Sequence, residues 1–142
     1  MTATAALANY SVPPPVTGVT AYVQVSDSRA AAKLYERAFG AETVALMPMG
    51  DQGKIIHGHV RINSGPLFLC DPFPEAGHPL DEPKGYTLHL QVDDAKAWFD
   101  RAVAAGGFAV VLPVNRMFWG DDYGQLRDPY GILWSIGSTP RG

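Results

Sequence analysis

The chain has 142 residues, 46% of them hydrophobic and 18% charged, with a formal net charge of −3. That is enough apolar material for one compact core, or for two small modules sharing one, and the acidic balance leaves no basic stripe for a phosphate backbone, which speaks against nucleic acid as a partner. No apolar run reaches membrane-spanning length, and Cys70 is the only cysteine, so no internal disulfide framework is expected and a cytoplasmic location fits.

Residues 1–16 read as a flexible tail, because Pro13, Pro14 and Pro15 follow a short apolar part with no basic stretch ahead of it, which also argues against a signal peptide. From Gly18, the apolar residues Ala21, Val23 and Val25 alternate with Thr20, Tyr22 and Gln24, the period of a strand with two unlike faces. Asp27 or Ser28 then caps an Ala-rich helix, and Gly40 stands where a helix C-terminus closes. Sliding the sequence by 67 residues lays this segment on GYTLHLQVDDAKAWFDRAVAAGG from Gly85, with eight identities in twenty-three positions where about two are expected. The chain is thus read as two copies of one unit.

Each helix precedes three shorter extended runs: Thr43 to Pro48, Lys54 to Ile62 and Pro66 to Asp71 in the first copy, and Phe108 to Leu112, Phe118 to Arg127 and Ile132 to Gly137 in the second. The expected fold is therefore α+β, with βαβββ modules over 17–71 and 85–138 and a Pro- and charge-rich linker over 72–84. In the last stretch, Asp128-Pro129-Tyr130-Gly131 is a turn that joins two antiparallel strands, with an Asp128 oxygen bonding the backbone ahead.

The face of each first strand away from its helix carries Thr20, Tyr22 and Gln24, and Thr87, His89 and Gln91. Alternation adds His57, His59 and Arg61 from the third strand, and the offset pairs Phe68 with Ser135 on the same side, opposite the helix-side pairs Leu67/Trp134 and Leu69/Ile136. If the half-sheets curl toward each other they form a cup with mixed walls, the usual make-up of a small-molecule site. Strand alternation also sends Phe118 and Trp119 to opposite faces, one lining the pocket and the other filling the core. Cys70 reads as an inert thiol, and Arg61, Arg116 and Arg127 as surface cations paired with acids rather than anion ligands. The signatures GxSxG, GxxxxGK[ST] and GxGxxG are all missing from the sequence.

The opening GVTAYVQVSDSRAAAKLYERAFGAE, the run IIHGHVRI from Ile55 and FWGDDYGQLRDPYGILW from Phe118 to Trp134 resemble the vicinal oxygen chelate superfamily of glyoxalases, bleomycin-resistance proteins and dioxygenases, and within it the PhnB-like branch. The resemblance implies the cup-shaped fold, a homodimer and, in metal-dependent members, four ligands that fall here on Thr20, Phe68, Thr87 and Ser135. Phe has no donor atom and neutral hydroxyls are weak ligands, so no metal or other cofactor is expected. The resulting expectation is a binding protein for a small aromatic or amphipathic molecule, contacted by Thr20, Tyr22, His57, His59, Phe68, Thr87, His89, Phe118, Trp119 and Ser135. The alternative is a glyoxalase-like lyase or dioxygenase with a relocated metal on His57, His59 and His89. A methyltransferase, the label often attached to the branch, lacks a glycine-rich cofactor loop here.

Overall fold

The structure, a computed structural model, describes residues 15–141, so the tail expected at the N-terminus lies almost wholly outside the described residues. The described chain divides into two compact units, one holding residues 15–36 and 40–81, the other 37–39 and 82–141.

The first unit runs β1 (Tyr22–Gln24), α1 (Ser28–Phe39), β2 (Glu42–Met49), β3 (Lys54–Ile62) and β4 (Gly65–Cys70), with the sheet order β1-β4-β3-β2. The second runs β5 (Leu88–Gln91), α2 (Ala95–Ala105), β6 (Ala109–Arg116), β7 (Asp122–Arg127) and β8 (Leu133–Ser138), ordered β5-β8-β7-β6. This is the expected βαβββ pattern twice. In each sheet the first and last strands are parallel and the rest antiparallel, with Tyr22 opposite Phe68 and His89 opposite Ser135, so the sequence repeat is also a repeat of register.

Local chemistry explains the helix ends. Asp27 and Asp94 accept the N–H groups of Ala30 and Ala97 at 3.1 Å each, which satisfies orphan donors of the first turn. Gly40, at φ +64, donates to the Glu36 carbonyl and Ala41 to that of Tyr35, both at 3.1 Å, an αL ending that glycine adopts without Cβ strain.

The apolar faces are buried as alternation requires. Val23, Val25, Leu67 and Leu69 line the first core together with Ala31, Ala32, Leu34 and Tyr35 of α1. In the second unit α2 packs across β6, β7 and β8, and Leu126, Trp134 and Ile136 are buried. Ala21 does not join its strand mates; it precedes β1 and is exposed.

The third strands approach their surroundings too closely for a side chain at one point. A Cβ on Gly124 would lie 2.9 Å from Val114 Cγ2 and 3.0 Å from both the Leu112 carbonyl and Phe99; one on Gly58 would lie 3.1 Å from Leu46 and Leu69. Gly58 faces Leu69 and Gly124 faces Ile136, partners one repeat apart, so the two glycines are equivalent. Their neighbours on the opposite face are then equivalent too: His57 with Tyr123, and His59 with Gln125.

Two strand assignments need correction. β6 runs on to Arg116, and β7 begins only at Asp122, so Phe118 and Trp119 occupy the tip of the β6–β7 hairpin. Met117 N–H donates to the Asp121 carbonyl at 2.8 Å and Gly120 N–H to that of Met117 at 3.0 Å, with Gly120 at φ +98. The turn's need for positive φ at Gly120 overrides the alternating pattern.

Candidate functional site

The face of the first sheet away from its core gathers Tyr22, His57, His59 and Phe68 into one cluster. The rings meet edge to face: Tyr22 with His57 at 5.4 Å, Tyr22 with Phe68 at 5.8 Å, and Phe68 with His57 and His59 at 4.7 and 5.0 Å. The pairing of β2 with β3 shifts register between Met47 and Pro48, passing over Ile56, and the Ile56 carbonyl accepts the Tyr22 hydroxyl hydrogen at 2.8 Å.

That bond fixes the state of His57. A phenol has one hydrogen, and Tyr22 gives it to Ile56; the 3.1 Å contact between Tyr22 Oη and His57 Nδ1 therefore has the imidazole as donor. Burial holds the His57 pKa below its ordinary range, which keeps the ring neutral at pH 7, so its Nε2 carries a bare lone pair. His59, only 2% exposed, is also held below the ordinary range, first by burial, then by the charge of Arg61 and, once that ring is protonated, by His57. Its Nε2 is buried without a hydrogen-bond partner among the described residues, and a buried polar atom left unpaired costs about 1–3 kcal/mol.

The second sheet presents a satisfied version of the same face. Ser135 donates to His89 Nδ1 at 2.7 Å, and His89 Nε2 donates to Gln91 Oε1 at 2.8 Å. Gln91 Nε2 in turn reaches Asp121 Oδ2 at 3.4 Å and Thr139 Oγ1 at 3.3 Å, which fixes the orientation of its amide. Tyr123 stacks on His89 with centroids 6.0 Å apart, Trp119 meets Tyr123 at 5.6 Å and Phe118 meets Trp119 at 5.0 Å. The backbone of β8 allows this, since a Cβ on Gly137 would stand 3.0 Å from His89 and 3.1 Å from Gln91.

Of the residues expected from sequence, the structure joins Tyr22, His57, His59 and Phe68 on one sheet and His89 with Ser135 on the other. Thr20 and Thr87 lie just before β1 and β5. Phe118 and Trp119 do not take opposite strand faces: both project from the hairpin tip, Phe118 at 98% exposure, and neither fills the core. Tyr123 was missed as a site residue. Its signal is the glycine that follows it, which aligns Tyr123-Gly124 with His57-Gly58 once the third strands are matched on their own.

The remaining candidates take structural parts. Asp128, 4% exposed, accepts N–H bonds from Tyr130, Ile132 and the Trp134 indole at 2.9, 3.0 and 2.9 Å. Arg61 pairs with Glu42 at 3.2 Å and Arg116 with Asp122 at 2.8 Å, while Arg127 donates to the Gly131 carbonyl. Burial and the Asp71 charge push the Cys70 thiol up, away from thiolate reactivity. A separate cleft of about 450 Å³ opens beside the β2–β3 turn, lined by Met49, Asp51, Lys54, Phe73 and Glu75 among others. No helix among the described residues is long and apolar enough to cross a membrane.

The metal that some members of the resembled family hold does not fit the donors present at its positions. Phe68 offers no donor atom, and Ser135 is a neutral hydroxyl already donating to His89. Among the described residues no three His, Cys, Asp or Glu side chains are grouped to hold a metal ion.

A sequence model of the Glyoxalase/Bleomycin resistance protein/Dioxygenase superfamily matches residues 16–136. An uncharacterized protein of Mycobacterium bovis is 36% identical over 126 residues, covering 84% of this chain and 82% of its own length. Protein YjdN of Escherichia coli is 27% identical over 124 residues, covering 72% of this chain and 81% of itself. Among solved structures, a Pseudomonas aeruginosa protein shares the fold at TM-score 0.69 and 25% identity, across 86% of this chain and 98% of its own. A Bacillus cereus protein described as a putative 3-demethylubiquinone-9 3-methyltransferase, PhnB protein, does so at TM-score 0.69 and 17% identity, across 87% and 100%, a likeness of fold alone. With two βαβββ units in matching register and a family match running nearly their full length, the chain belongs to the glyoxalase/bleomycin resistance protein/dioxygenase superfamily, the vicinal oxygen chelate group that its motifs resemble.

Proposed function

We propose that this chain is a PhnB-like member of the superfamily that binds a small aromatic or amphipathic molecule on the mixed faces of its sheets. The observation that carries the reading is the cluster of Tyr22, His57 and Phe68, where half-open rings surround an imidazole nitrogen that no described residue engages. Apolar walls with few, well-placed polar atoms suit a ligand of this kind. On the first sheet Thr20 joins the proposed contacts, and on the second Thr87 and the hairpin-tip pair Phe118 and Trp119 do so, the last two by stacking beside Tyr123.

The test is a titration of purified protein with a panel of planar aromatic compounds, followed by Trp fluorescence and by the shift in melting temperature. Saturable quenching with a rise in Tm is expected, because a ligand that binds only the folded state stabilises it; a panel that changes neither would sink the reading. We further propose a homodimer in solution, and a monomer mass by light scattering would contradict it.

A further inference from the structure

We propose that His57 is the polar anchor of this binding face and that it sets the ligand class: a planar molecule bearing a hydroxyl or N–H hydrogen, such as a phenol, an enol or a heteroaromatic N–H, which donates to His57 Nε2. The inference rests on the binding-face reading above and adds which atom meets the ligand and what the ligand must bring.

Three observations converge. First, the Tyr22 hydroxyl spends its single hydrogen on the Ile56 carbonyl, so His57 must donate from Nδ1, and the opposite nitrogen is left to accept. Second, the duplicated half of the molecule shows what completes such a face. There the imidazole is on the first strand and the phenol on the third, and Ser135 donates the hydrogen that His89 Nδ1 needs while Gln91 takes the other. In the first half Phe68 holds the place of Ser135 and has no hydrogen to give. Third, His59 Nε2, buried on the same face against the edge of Phe68, also lacks a partner among the described residues. A face whose open His57 nitrogen is an acceptor, and whose nearby cation Arg61 is paired with Glu42, selects a hydrogen-bond donor over a carboxylate or phosphate.

The probe pair is 2-naphthol and 2-methoxynaphthalene, which share ring system and shape but differ in the hydrogen to be donated. The expected result is that the naphthol binds about ten- to a hundredfold more tightly than its ether, the range for leaving a buried acceptor unpaired. That preference should persist in His57→Gln, whose amide oxygen reaches the place of Nε2, and vanish in His57→Asn, which keeps the Tyr22 contact but stops short of it. Equal binding of the two probes, with NMR shifts at Tyr22 and Phe68, would overturn the anchor and leave the binding face standing. No shift of Tyr22, His57 or Phe68 with either probe would overturn both, and a preference that survives in His57→Asn would overturn the anchor. One measurement needs no variant: long-range proton–nitrogen correlations of the unsubstituted protein should show His57 protonated at Nδ1 and bare at Nε2, and the reverse would refute the proposal.

Discussion

At the scale of single residues, the two histidines of the first sheet make stability depend on pH in a defined direction. Burial holds both below the ordinary histidine pKa of 6.5, so on acidification the unfolded chain takes up protons that the folded chain refuses. Stability is therefore full above that value and declines as pH falls below it. Tm should drop between pH 7.5 and 5.5, and the drop should be smaller in the double variant His57→Asn/His59→Asn. Equal slopes in the two proteins would show that the folded state accepts those protons freely. Asp128 shows a residue whose part is plain from sequence, because an aspartate ahead of Pro-x-Gly has only a turn to close; its bond to the Trp134 indole could not be read, since it depends on where the next strand returns.

At the scale of elements, the third strands carry the least obvious constraint. Ala in place of Gly124 meets the backbone carbonyl of Leu112 as well as Val114 and Phe99, and should cost about 1–3 kcal/mol, as overpacking does. Gly58→Ala presses on the movable Cδ2 end of Leu46 and on Leu69 Cγ, both at 3.1 Å, with the Leu69 carbonyl at 3.2 Å, all farther than the contacts at Gly124, and should cost less. Urea unfolding midpoints of the two variants check the order, and the reverse order would mean that β7 moves more easily than β3. These strands also mark where reading the sequence fell short. The first strands, helices and last strands share one offset and were found by it. The third strands align only when shifted by one residue, so the equivalence of His57 and Tyr123 escaped a single sliding comparison. The irregularity at Ile56 has a similar effect: plain alternation puts Ile55 on the side of His57, yet Ile55 is fully buried and Asp71 binds its N–H at 2.8 Å. Phe118 and Trp119 were misplaced because a hairpin tip and a strand start look alike until the hydrogen bonds of Gly120 are known.

At the scale of the whole molecule, the paired modules keep one architecture while their exposed faces have diverged, Tyr edge-on to His in one and stacked on His in the other. The parallel docking of each first strand on its last, Tyr22 on Phe68 and His89 on Ser135, has a consequence for synthesis. A nascent chain leaves the ribosome with β1 first, and that strand has no sheet to join until β4 has emerged, a full module later. Neither half can close early, so both depend on contacts distant in sequence, the class that folds in milliseconds to seconds rather than microseconds. Stopped-flow refolding monitored by Trp fluorescence should be correspondingly slow; a microsecond phase carrying the full amplitude would mean that the hairpins alone determine the rate. Until closure, Val23 and Val25 remain open to water, so the interval of translation between Val25 and Cys70 is when this chain most needs a chaperone.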